Sequence, residues 1–166
     1  GIRLYYAKNS EISKNDIHRS AKTAIGTSAY GIYMYYNIGS KIVGNRIHDM
    51  AATGVTSTST FYGIYAYNYN NTAATPILIA NNAIYNMGNY KGLQYISYLY
   101  GPSMMVYNNS IDISANQGAS TSTIYGMYVG YNNGSEFKNN IINITGGNTG
   151  IKYGIYLSPT PYTANL

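Results

Sequence analysis

The 166-residue chain has no cysteine and no tryptophan. Without cysteine there is neither a disulfide framework nor a thiolate metal site. Charged residues are only 9% of the chain, against a usual quarter. Water must therefore be met mainly by Tyr, Asn, Ser, Thr and Gly. Ten basic and five acidic residues give a net charge of +5, but no run of Lys or Arg forms a basic stripe. Nucleic acid is therefore not an expected partner. No stretch approaches the ~20 apolar residues that span a bilayer, so no membrane insertion is expected. No secretion leader is visible, and neither end carries the polar capping repeat that a solenoid needs. The expectation is one continuous array over 1–166, uncapped at both ends, a segment of a longer chain continued by flanking coils.

What the chain does have is 22 tyrosines, 18 glycines and a repeat. A glycine, an apolar residue and usually a tyrosine recur at Gly31-Ile32-Tyr33, Gly63-Ile64-Tyr65, Gly126-Met127-Tyr128 and Gly154-Ile155-Tyr156. Weaker copies are read at Gly1-Ile2-Arg3 and Gly92-Leu93-Gln94. Coils then start near 1, 31, 63, 92, 126 and 154, in steps of 28–34 residues. A near-constant period with elastic spacing marks a solenoid whose loops vary while its strands do not. A second landmark keeps step with the first: Asn-x-Ile begins at Asn15, Asn45, Asn82, Asn109 and Asn140, and an apolar residue (Ile12, Ile42, Ile79, Val106, Phe137) stands three places earlier.

Short, β-branched and aromatic segments broken by Gly and Asn read as strands. Alternation after the repeat glycine puts Ile2, Ile32, Ile64, Leu93, Met127 and Ile155 in one inward row, and Leu4, Met34, Ala66, Tyr95, Val129 and Leu157 in the next. Apolar residues on both sides of each asparagine break the alternation there, so the chain must bend. The preceding residue is Lys14, Gly44, Asn81, Asn108 or Asn139, mostly types that accept left-handed backbone angles. Stacked asparagine amides at such a bend can satisfy one another and the turn backbone.

Strand, corner and stacked asparagine together resemble the right-handed, single-stranded parallel β-helix repeat family, which includes pectate lyases and polygalacturonases. The resemblance implies an all-β fold of about five coils, an internal asparagine ladder at Asn15, Asn45, Asn82, Asn109 and Asn140, and an extracellular or cell-surface location. The fold does not carry an activity with it. The expected function is a non-catalytic part of an exported stalk, filament or adhesin. The alternative is part of a polysaccharide lyase or glycoside hydrolase.

The acids are Glu11, Asp16, Asp49, Asp112 and Glu136. Glycoside hydrolysis needs two carboxylates facing one bond. Asp49 and Asp112 lie two coils apart, but no cluster of acids with basic residues is visible, and no catalytic residue is assigned. Stacking the first two corners sets Asp16 beside Arg46 and Arg19 beside Asp49. It also stacks His18 on His48, with no third ligand well placed and Asp49 expected to point away. No metal or other cofactor is called. The functional lead is aromatic: Tyr33, Tyr65, Tyr128 and Tyr156 share one outward position and Tyr35 and Tyr67 a second, with Tyr30, Tyr62, Tyr125 and Tyr153 before the glycines. Interrupted at Gln94 and preceded by Arg3, they would pave a face for a polysaccharide or another surface protein.

Overall fold

The computed structural model describes residues 1–19, 28–52, 56–90, 92–114, 121–146, 149–158 and 164–165. Its strands pair in parallel with their counterparts one repeat away, giving a parallel β-solenoid of about four turns, near the five expected. A first sheet stacks Ile2–Tyr5, Ser28–Tyr35, Thr60–Tyr67, Gln94–Tyr100, Ile124–Gly130 and Lys152–Leu157. A second stacks Glu11–Ser13, Lys41–Val43, Ile77–Ala80, Met104–Tyr107, Ser135–Lys138 and Ala164–Asn165. A third stacks Asp16–Ile17, Arg46–His48, Ala83–Tyr85, Ser110–Ile113 and Ile141–Ile144. Thr56–Ser57 and Asn89–Tyr90 make a small fourth pair.

The asparagine landmark is the corner between the second and third sheets. Lys14, Gly44, Asn81, Asn108 and Asn139 have φ between 55° and 67°. That left-handed residue turns the next side chain inward. Asn45, Asn82 and Asn109 are buried, and the Nδ2 of Asn15, Asn45, Asn82 and Asn109 donates to Oδ1 of the next asparagine, each at 2.9 Å. The same Oδ1 atoms accept the preceding coil's main-chain N–H at 3.0–3.1 Å. The second Nδ2 hydrogen goes to a carbonyl, for example Asn82 to Ile42 at 2.9 Å. Polar corners are thereby closed without water.

The repeat glycine differs from the sequence reading. It does not open the strand but sits inside it, as Gly31 does in Ser28–Tyr35. Alternation also breaks there, because both Gly31 and Ile32 face in, leaving Tyr30, Tyr33 and Tyr35 outward. Its function is close approach. A Cβ on Gly31 would meet the Gly63 carbonyl oxygen at 2.5 Å and Ile47 Cγ2 at 2.6 Å. On Gly126 it would meet Gly154 O and Ile142 Cγ2, both at 2.6 Å. Ile47, Ile84 and Ile142 of the Asn-x-Ile landmarks thus pack onto Gly31, Gly63 and Gly126 of their own coils, which is why the two landmarks travel together there.

The fourth coil corrects the alignment. Tyr98, not Gln94, pairs with Tyr65 and Tyr128, and Ser97 pairs with Ile64 and Met127. Leu93 is 40% exposed rather than inward, Tyr95 faces out beside Tyr62 and Tyr125, and Leu99 takes the core place assigned to Tyr95. Gln94 is buried opposite Phe61 and Ile124. The coil-start positions become 1, 31, 63, 96, 126 and 154, so the longest step shrinks from 34 to 33 residues. Glycine was the wrong anchor in this coil, because Ile96 occupies the place of Gly63.

Candidate functional site

Each outward tyrosine stands on its counterpart in the next coil, so the strand register builds the site. Tyr33, Tyr65, Tyr98, Tyr128 and Tyr156 form one row with ring centroids 4.8, 5.0, 5.0 and 5.4 Å apart. Tyr30, Tyr62, Tyr95, Tyr125 and Tyr153 form a second, spaced 4.8, 5.2, 5.0 and 5.4 Å. Tyr35, Tyr67 and Tyr100 form a third at 5.3 and 4.9 Å, joined by Tyr5 at 5.3 Å from Tyr35. This row stops at Gly130, where a Cβ would lie 2.7 Å from the Tyr100 ring. All six tyrosines named from the sequence are brought together. The face continues through the fourth coil rather than breaking at Gln94. Tyr95, Tyr98 and Tyr100 were missed there, although the spacing Tyr-x-x-Tyr-x-Tyr at 30/33/35, 62/65/67 and 95/98/100 carries the signal.

The rings stand on edge instead of lying flat. Within the first row, neighbours in the four central coils are within 7° of parallel, whereas facing rings of the first two rows cross at 86–89°. Planes in contact at about 3.5 Å can step by 4.8 Å only if tilted by roughly 45° to the axis. Opposite tilts then set the two rows at right angles, a herringbone of offset-stacked and edge-to-face pairs. Ring faces are consumed by neighbouring rings, so edges and phenolic hydroxyls meet the solvent. Most of these residues are half-buried. Burial, with Tyr30 and Tyr95 beside it, pushes the Tyr62 phenol up to about 12. Burial likewise raises Tyr65 and Tyr98, so the hydroxyls stay protonated donors well into the alkaline range. Arg3 extends the first row: its guanidinium lies 4.4 Å from the Tyr5 ring centre and 5.1 Å from that of Tyr33, and it donates to the Tyr5 hydroxyl.

The polar residues form a separate corner on the third sheet. Arg46 meets Asp16 at 2.9 Å in the expected register. The expected Arg19–Asp49 side-chain pair is replaced. Asp49 has φ 46°, and this turn swings its carboxylate back onto His48 Nδ1 at 2.7 Å, correcting the expectation that it points away. Asn86 also donates to Asp49, and Asp16 holds His48 Nε2 at 2.6 Å. The Asp49 hydrogen bond and then that of Asp16 raise the His48 pKa against its burial. The His48 hydrogen bond holds Asp16 below the usual carboxylate range. His18 stacks on His48 at 5.6 Å and His48 on Tyr85 at 4.9 Å.

Asp112 takes Asn143 at 2.7 Å and Ser114 at 3.1 Å, and Glu136 takes Tyr107 at 2.6 Å and Lys138 at 2.9 Å. Among the described residues, no group of three or more His, Asp or Glu side chains could hold a metal ion. Nor is any helix among them long and apolar enough to cross a membrane. No family model, no curated protein and no solved structure matches the chain.

Proposed function

We propose that this chain is a non-catalytic stretch of an exported surface stalk, filament or adhesin, wound in the right-handed manner of the pectate-lyase-like β-helix proteins, whose tyrosine face contacts a glycan or another surface protein. One observation carries the reading: two five-membered tyrosine rows and a shorter third occupy one sheet of the solenoid. A soluble surface rarely leaves so large a contiguous aromatic patch without a partner. Because ring edges and hydroxyls face outward, the contact it favours is hydrogen bonding along the axis rather than a sugar ring lying on an aromatic face. The distribution of acids supports the non-catalytic side, since Asp16, Asp49, Asp112 and Glu136 are each engaged by neighbours of their own corner.

Binding of the chain to immobilised glycans and cell-surface proteins tests the contact. Binding lost in the double variant Tyr65→Ala and Tyr128→Ala, with the fold intact by circular dichroism, is the expected result. Binding unchanged in that variant removes the tyrosine face from the function. Cleavage of polygalacturonate or alginate by the purified chain would overturn the non-catalytic reading.

A further inference from the structure

The corner between the first and second sheets holds a second asparagine stack, and it is incomplete. Asn37 Oδ1 accepts the Ala7 N–H at 2.9 Å, and Asn68 Oδ1 accepts the Asn37 N–H at 2.6 Å. Two coils beyond Asn68, Asn132 takes the corresponding place, but by the register of Tyr100 on Gly130 the residue facing it is Pro102, which has no N–H to donate. Asn132 Oδ1 is buried and makes no hydrogen bond. Three further buried atoms are likewise unpaired: Asn68 Nδ2, Asn71 Nδ2 and Asn71 Oδ1. Asn68, Asn71 and Asn132 are 0%, 5% and 3% exposed.

The loop that carries Asn71 runs across the coils that carry Pro102 and Asn132. Leaving the third coil, Tyr69 rests against Tyr100 at 5.3 Å and reaches Tyr131, beside Asn132, also at 5.3 Å. The chain therefore climbs over the fourth coil at Gly101 and Pro102 before Thr75 returns beside Gly39. Asn71 belongs to that loop and is buried. A buried amide atom left unpaired loses its hydration with nothing in return, so such a group calls for a partner.

We propose that this corner is a binding site for internal water, with at least one molecule bridging Asn71 to Asn68 and Asn132. The chemistry selects the ligand. Two amide nitrogens offer donors and two amide oxygens offer acceptors, so a cation would meet N–H groups and an anion would meet carbonyl oxygens. Small neutral molecules that both donate and accept suit such a mixed set, and water does this at buried polar sites. Through it, the Asn68–Pro76 loop is fastened over the fourth coil. Tyr69, whose hydroxyl accepts from Tyr67 at 3.0 Å, is thereby held as an extension of the tyrosine face.

The test is magnetisation transfer from water to side-chain amides in the folded, isotopically labelled chain. Asn68 and Asn71 are expected to show direct cross-peaks from a long-lived water. Asn45, Asn82 and Asn109, satisfied by protein atoms, should show none. Asn132→Leu should abolish or weaken the Asn71 signal while leaving the other ladder unchanged; if that variant fails to fold, the wild-type contrast still decides. Absence of the cross-peaks in the wild type overturns the proposal. So does a crystal structure in which Asn71 bonds directly to protein, or in which a cation sits at ionic distance from Asn71 Oδ1 and Asn132 Oδ1.

Discussion

Ile47 is fully buried, and its Cγ2 fills the space that a Cβ on Gly31 would claim. Two substitutions probe that contact from opposite sides. Ile47→Ala leaves a cavity between stacked coils and should cost about 2–5 kcal/mol in urea unfolding; a loss under about 0.5 kcal/mol would place Ile47 outside the core. Gly31→Ala drives a methyl into Ile47 and the Gly63 carbonyl, and should cost about 1–3 kcal/mol by overpacking. Histidine 48 adds a dependence on pH. Its raised pKa means that its contribution is fully present below the unfolded value of about 6.5 and is lost as pH rises through the folded value. Asp16 works the other way, contributing above about 3.9 and losing its contribution as pH falls through its lowered folded value. Together they favour the window between about pH 4 and 6.5. Replacing His48 by Asn should flatten the fall in melting temperature between pH 6 and 8, and an unchanged slope would show that other groups set it.

At the scale of strands and corners, the asparagine corner could be read from the sequence almost in full. Asparagine there has one task, and the residue before it needs a left-handed angle, so both leave a mark. The first sheet was read less well, because glycine in a strand answers to a neighbour's bulk rather than to a turn. Where Ile96 replaces it, the nearest glycine, Gly92, drew the register four residues out. The herringbone was not legible at all, since ring tilt follows from coil spacing and ring thickness together. This register is open to test. Leu93→Ala should change stability by less than about 0.5 kcal/mol, as an exposed site does. Tyr98→Ala removes stacking on Tyr65 and Tyr128 and should cost about 1–3 kcal/mol. The reverse order would restore Gln94 to the tyrosine row.

At the largest scale, the described residues form a stack in which the same kinds of contact recur from coil to coil: asparagine on asparagine, isoleucine on glycine, tyrosine on tyrosine. Low charge is consistent with such stacking, because like charges repeated at rung spacing would repel and opposite ones must alternate, as Asp16 and Arg46 do. The second asparagine stack, at Asn37, Asn68 and Asn132, left little trace in the sequence because Ala7 and Pro102 stand in its places in the first and fourth coils. Alkaline titration reads the state of the whole face. The raised pKa of Tyr62, Tyr65 and Tyr98 means that their contribution holds below the unfolded value of about 10 and is lost as pH rises through the folded values. Phenolate absorbance should therefore lag and then rise together with loss of the β-type circular dichroism. The most direct measurement uses the absence of native cysteine. Under mild oxidation, a chain carrying Tyr98→Cys and Tyr128→Cys should close a disulfide, because paired strand positions lie within its Cα reach of about 4.4–6.8 Å. A chain carrying Gln94→Cys and Tyr128→Cys should remain reduced. A disulfide in the second chain and none in the first would contradict the continuous tyrosine face and the register that builds it.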